Sequence, residues 1–129
     1  GAMLGDVGQA LLNGNAAAAE QCARAWAARF PDGYYIEVQR AGHSGAETYL
    51  RAAVKLAGEL GLPVVATHPV QFLNRDDFKA HEARVCISQG YVLADKRRPK
   101  DFTEEQYLKS QDEMAELFAD LPEALANSI

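Results

Sequence analysis

An α/β fold is what this chain predicts, and three stretches predict it. Tyr34-Tyr35-Ile36-Glu37-Val38-Gln39 is rich in β-formers. Ala46 to Leu60 places Leu50, Ala53, Val54, Ala57 and Leu60 at helical spacing, with Gly61 as a C-terminal stop. Leu62-Pro63-Val64-Val65-Ala66-Thr67 then supplies a short uncharged run, which predicts a strand buried on both faces. Strand, helix, strand at this spacing is a βαβ unit, with parallel strands and a right-handed crossover. It brings the Gln39-Arg40 end of the first strand beside the Thr67-His68 end of the second. Ligands and catalytic groups collect at such ends in α/β folds.

The rest of the chain reads as helices and turns around that unit. Leu4, Val7 and Leu11 share a helical face that Asn13-Gly14 ends. Asn15 caps the next helix, whose predicted apolar face is Ala18, Cys22, Ala25 and Trp26, and which stops at Phe30-Pro31. Pro31-Asp32-Gly33 is a turn, and Ala41 to Gly45 a flexible loop. Asp76 or Asp77 begins a helix to about Gln89, with Phe78, His81 and Val85 on one stripe. Tyr91 to Asp101 has no period. Thr103-x-x-Gln106 and Ser110-x-x-Glu113 both match the capping box that opens a helix. Met114, Leu117, Phe118 and Leu121 give the second of these an apolar face, and Pro122 opens a last helical turn.

Composition bounds the class. The 129 residues suffice for one domain with a core, and 48% hydrophobic content with a net charge of −5 describes a globular chain. An acidic chain is a poor nucleic-acid binder as a whole, although a local basic patch can still contact phosphate. Cys22 and Cys86 form no C-x-x-C and fall in apolar helical contexts, so buried thiols in a reducing, cytoplasmic setting are expected. No apolar run approaches the ~18 residues of a membrane span, and no secretory leader is expected. Gly1-Ala2-Met3 resembles the remnant of an expression tag, which leaves residues 4–129 as the domain. Only two strands are evident. Two parallel strands leave open edges, so either further strands go unseen or the sheet continues before residue 4.

The candidate chemical groups are few. No Gly-rich phosphate loop, G-x-S-x-G or H-E-x-x-H occurs. His43, His68 and His81 are metal-ligand types without a ligating partner at a recognised spacing. His43 is expected in solvent and His81 half-buried with one hydrogen bond, whereas His68 is best placed, at a strand end. Glu37 interrupts an apolar strand and needs a partner, for which Arg40 and Arg51 are the candidates. Lys96, Arg97, Arg98 and Lys100 put four positive charges in five positions. That cluster is either a solvated loop or a contact for phosphate or an acidic partner. It has no interleaved aromatic residue to stack bases.

Several longer runs carry a family resemblance. They are Gly5-Asp6-Val7-Gly8, Tyr35-Ile36-Glu37-Val38-Gln39-Arg40, Glu47-x-Tyr49-Leu50, Gly61 to Thr67, Phe72-Leu73, Asp77-Phe78, His81 to Val85, and Glu113 to Asn127. Together they resemble the alpha subunit of bacterial DNA polymerase III, in the later part of its N-terminal polymerase-and-histidinol-phosphatase (PHP) domain. The resemblance implies a distorted (β/α)7 PHP-type barrel of which this chain is a helix-rich fragment with a few parallel strands. Working members gather metal ions at the strand ends for phosphoester hydrolysis. Their last ligand motif looks like Asp-x-His, after the Ala-Thr-x segment, and here those positions hold Pro69 and Gln71. Proline offers no ligand and glutamine only a neutral oxygen, while His68 is displaced by one residue to the other face. The expectation is therefore no metal, no cofactor and no catalytic residue in this stretch, with an active metal-dependent phosphoesterase as the alternative. In the family, polymerase chemistry uses magnesium held by carboxylates of a palm domain beyond Ile129. The implied role is a platform that supports the polymerase and docks the separate proofreading exonuclease subunit, with DNA in the parent complex and no membrane. As an isolated piece it is expected to dimerise through open strand edges.

Overall fold

The computed structural model describes residues 1–128. A 3-10 turn, Ala2–Leu4, leads into α1 (Asp6–Leu12) and α2 (Ala16–Arg29). Then β1 (Ile36–Val38), α3 (Ala46–Leu60) and β2 (Val64–Ala66) form the βαβ unit. The strands are parallel, with Ile36 opposite Val64, Glu37 opposite Val65 and Val38 opposite Ala66. A second 3-10 turn, Arg75–Asp77, opens α4 (Phe78–Gln89), and α5 (Gln111–Leu117) and α6 (Pro122–Ala126) follow. Among the described residues, no helix is long and apolar enough to cross a membrane.

Local chemistry sets the element ends. The Asn15 side chain accepts the Ala18 N–H at 3.1 Å, taking up one of the donors that open α2. Gly61 ends α3 at φ 66, a left-handed conformation in which a Cβ would be strained. At α5 the capping box is complete: Ser110 Oγ accepts from Glu113 N at 3.2 Å, and Ser110 N donates to the Glu113 carboxylate at 2.8 Å. Gly8 has a different role. A Cβ there would lie 2.1 Å from the Ala2 carbonyl oxygen, so only glycine lets α1 seat against the first turn.

Two apolar clusters share α3. One joins the sheet to the chain's end: Ile36, Val38, Tyr49, Leu50, Ala53, Ala57, Ala66, Phe118 and Ala124. The other packs Val7, Ala19 and Ala23 of α1 and α2 on Leu56. Arg40 clips the first together from outside. Its guanidinium makes two bonds to Asp120 at 2.6 and 2.8 Å, one to the Leu117 carbonyl at 2.9 Å and one to Glu47 at 2.9 Å. It also lies 5.2 Å over the Phe118 ring.

Several sequence expectations need correction. The first strand covers three residues rather than the six of Tyr34 to Gln39. Val64 and Val65 are only half-buried, because a two-stranded sheet gives β2 a single neighbouring strand. In α2 the buried row is Ala19 and Ala23, and Ala25 is exposed. Eight of its 14 positions are alanine, so periodicity marks a face poorly, and close approach to α1 selects the row. In α3, Tyr49 and Leu56 join Leu50, Ala53 and Ala57 in the core, while Val54 and Leu60 sit at its edge. Both cysteines are free, Cys86 buried as expected and Cys22 half-buried. Thr103-x-x-Gln106 opens no helix; the chain makes one turn there and runs on without regular structure.

Candidate functional site at the strand ends

The βαβ unit sets Gln39 beside Thr67, as its parallel register requires. Thr67 N donates to the Val38 carbonyl at 3.0 Å. The Thr67 hydroxyl donates to Glu37 Oε1 at 2.6 Å and accepts from Gln39 Nε2 at 2.9 Å. Burial pushes the Glu37 carboxyl up. The hydrogen bond from the Thr67 hydroxyl works against that and draws the group down. Neither expected partner of Glu37 is used: Arg40 bonds Glu47 and Asp120, and Arg51 is exposed. Three residues apart on an extended chain, Glu37 and Arg40 face opposite sides.

A strap, residues 101–108, crosses these strand ends. His43 Nε2 donates to the Asp101 carbonyl at 2.9 Å, and the Thr103 hydroxyl donates to the Ala41 carbonyl. His68 Nε2 donates to the Glu105 carbonyl at 2.7 Å. Gln106, 3% exposed, gives its Nε2 to the Pro69 carbonyl at 3.0 Å and accepts Thr103 N on Oε1 at 2.9 Å. Its own carbonyl takes Gln71 N at 2.8 Å, and Leu108 N reaches the Phe72 carbonyl at 3.0 Å. Phe72 and Tyr107 thereby form a parallel bridge. Outside, Glu105 is held by Arg75 at 2.6 Å and Lys109 at 2.9 Å, and both cations flank the Tyr107 ring.

The predicted site residues are therefore engaged with this strap. His68 carries its proton on Nε2, because its partner is a carbonyl. Its Nδ1 is buried without a partner, and burial draws its pKa below the ordinary range. Pro69 presents only its carbonyl. Gln71 bonds through its backbone N–H while its side chain is exposed. Among the described residues, no three His, Cys, Asp or Glu side chains are grouped so as to hold a metal ion.

His81 is more deeply buried than its stripe predicts, at 5% exposure. Its Nδ1 accepts from Arg84 Nη2 at 2.6 Å, and its ring lies 4.6 Å edge-on to Phe102 and 5.4 Å from Phe72. Burial first, and then Arg84, lowers its pKa. The adjacent Glu82 is buried and ion-paired with Arg98. That pair divides the basic cluster. Arg98 turns inward onto Glu82 and the Leu93 carbonyl, and Arg97 pairs with Asp95 at 3.0 Å. Lys96 and Lys100 are exposed and make no ion pair among the described residues. Sequence reasoning missed the strap and its central Gln106. Their one signal was a capping motif lacking an apolar period behind it.

No protein-family model matches this chain. Curated relatives do. The DNA polymerase III subunit alpha of Neisseria meningitidis serogroup B is 58% identical over 130 residues, which is 100% of this chain and 11% of that protein. The subunit of the same name from Escherichia coli is 50% identical over 129 residues, and that from Vibrio cholerae 49% over 129, with the same shares covered. The chain thus spans about a tenth of the length of the curated relatives it matches. Aligned over its whole length at 49% to 58% identity, the chain corresponds to a segment of DNA polymerase III subunit alpha.

Proposed function

We propose that these residues form part of the PHP domain of a replicative, cytoplasmic DNA polymerase, as a scaffold without catalysis of its own. The domain supports the polymerase and docks the proofreading exonuclease subunit. The observation that carries this reading is the strap. Where a phosphoesterase would converge ligands on metal, the strand ends of this chain bond strap backbone through His68, Pro69 and Gln71. A proline carbonyl, an exposed glutamine and an imidazole already donating to a carbonyl do not fit a cluster of metal ions. Nucleotidyl transfer in the parent chain would depend on magnesium-binding carboxylates outside these residues.

Loading the purified chain with zinc or manganese and measuring bound metal tests the reading. The expected outcome is no stoichiometric metal and no phosphoester turnover that a chelator removes. Metal bound through His68, with such turnover, would restore the phosphoesterase reading.

The basic loop gives a second measurement. With Arg97 and Arg98 paired internally, Lys96 and Lys100 are the groups left for phosphate. In the parent polymerase, Lys96→Ala with Lys100→Ala should flatten the salt dependence of primer–template binding by about two counterions. An unchanged slope dismisses DNA contact by this loop.

A further inference from the structure

All three histidines touch the strap. His43 and His68 donate to its carbonyls, and His81 lies edge-on to Phe102. The first two bonds survive protonation, since an imidazolium still donates through Nε2, although burial of the unpartnered Nδ1 also disfavours a charged ring at His68. His81 is different. Its Nδ1 accepts from Arg84, which fixes the neutral ring with its proton on Nε2, and that nitrogen is buried without a partner. A second proton would go on Nδ1, aiming an N–H at a guanidinium N–H 2.6 Å away.

Among the described residues, Glu82 is the one nearby group that favours that charge, and burial and Arg84 outweigh it. On its own helix His81 faces Arg84 and Glu82, and Glu82 is committed to Arg98 from the 91–100 loop. Asp77 lines the same cleft, but its carboxylate accepts Asn74 N at 3.0 Å. The 70–74 segment contributes Phe72 and the neutral Gln71. Two phenyl rings attract a cation more weakly than a carboxylate does. At 5% exposure the ring has little water to solvate a charge.

We propose that His81 is an acid-sensitive latch: neutral, it seats Phe102 and the strap on α4 and across the strand ends, and protonated it releases them while the βαβ unit stays folded. Release needs no core to open, because neither apolar cluster includes any residue between 67 and 113. The sign follows from linkage. The seated ring takes a proton less readily than a released one with the ordinary value of 6.5. Seating is therefore fully favoured above that pH and is lost as pH falls below it.

Amide hydrogen exchange of the 129-residue chain at pH 7.5 and 5.5, corrected for intrinsic rates, tests the latch. Gln71 N–H and Leu108 N–H report on the strap, and Ile36 N–H and Leu62 N–H on the βαβ unit. One proton site with the ordinary value on release changes the opening constant by at most about tenfold over this interval, the limit in which the seated ring takes no proton. Strap protection should fall measurably within that limit and core protection should not. His81→Gln keeps a neutral acceptor for Arg84 and should reduce the pH dependence to the part that burial of His68 contributes. Should that variant not fold, Arg84→Met serves: without the opposing guanidinium the ring titrates nearer its ordinary value, and the fall shrinks. Constant strap protection, an equal fall in the core amides, or pH dependence that is undiminished in His81→Gln or unchanged in Arg84→Met would overturn the proposal.

Discussion

The βαβ unit with its flanking helices and the 67–109 region are built from opposite materials. The first is apolar: Phe118 and Val38 are fully buried against α3 and the sheet, and alanines let helices approach closely. The second contributes to neither apolar cluster, yet it holds all three buried polar residues among those described, His81, Glu82 and Gln106. Both buried nitrogens without a partner, on His68 and His81, are there too. Apolar burial is non-directional and tolerant of small shifts. A polar network holds only while every bond is made, and an unmade bond costs more than a made one contributes. One region is thus a scaffold, and the other a fitted cover over the strand ends.

The largest expected effect lies in the apolar region. Phe118→Ala removes a fully buried ring under Arg40 and should cost about 3–5 kcal/mol of unfolding free energy, read by urea denaturation. A loss under about 1 kcal/mol would mean that the α5–α6 end is not part of the core.

The matching test in the polar region uses a double substitution. Arg98→Leu alone leaves the Glu82 carboxylate buried and unpaired, and should cost about 3 kcal/mol. Glu82→Met together with Arg98→Leu should recover most of that loss, because a buried ion pair replaced by apolar groups of similar volume is often neutral. Substitutions in the apolar core have no such rescue. If the double variant is as unstable as the single one, the two regions do not differ in the way described.

The same division explains what could be seen in the sequence. The βαβ unit was legible because its signals are local and redundant: α3 runs from Ala46 to Leu60 as its period and Gly61 predict, and β2 covers Val64 to Ala66. The Asn15 and Ser110 caps are where their residue types put them. The strap was not legible, because its bonds join residues up to 62 positions apart, as between Thr103 and Ala41, and most of them end on backbone carbonyls. A carbonyl acceptor leaves no trace in residue type. Glu37 shows the same limit: its partner is Thr67 on the neighbouring strand, not the arginine expected to neutralise it.

The two capping-box motifs give the smallest and most discriminating comparison. Ser110 and Thr103 carry the same pattern, yet their hydroxyls do opposite jobs. Ser110 Oγ accepts from the backbone of α5, whereas the Thr103 hydroxyl donates to Ala41 across the strap. Alanine at either site should cost about 1 kcal/mol, so alanine cannot tell them apart. Aspartate can, because an ionised carboxylate only accepts. Ser110→Asp should keep the cap and stay within about 0.5 kcal/mol of the unchanged chain, aided by its charge at a helix N-terminus. Thr103→Asp should lose the donor, set a carboxylate against the Ala41 carbonyl and cost at least as much as Thr103→Ala. Urea denaturation of the four variants reads the difference. If aspartate is tolerated equally at both positions, Thr103 is an ordinary cap and the strap is not fastened through it.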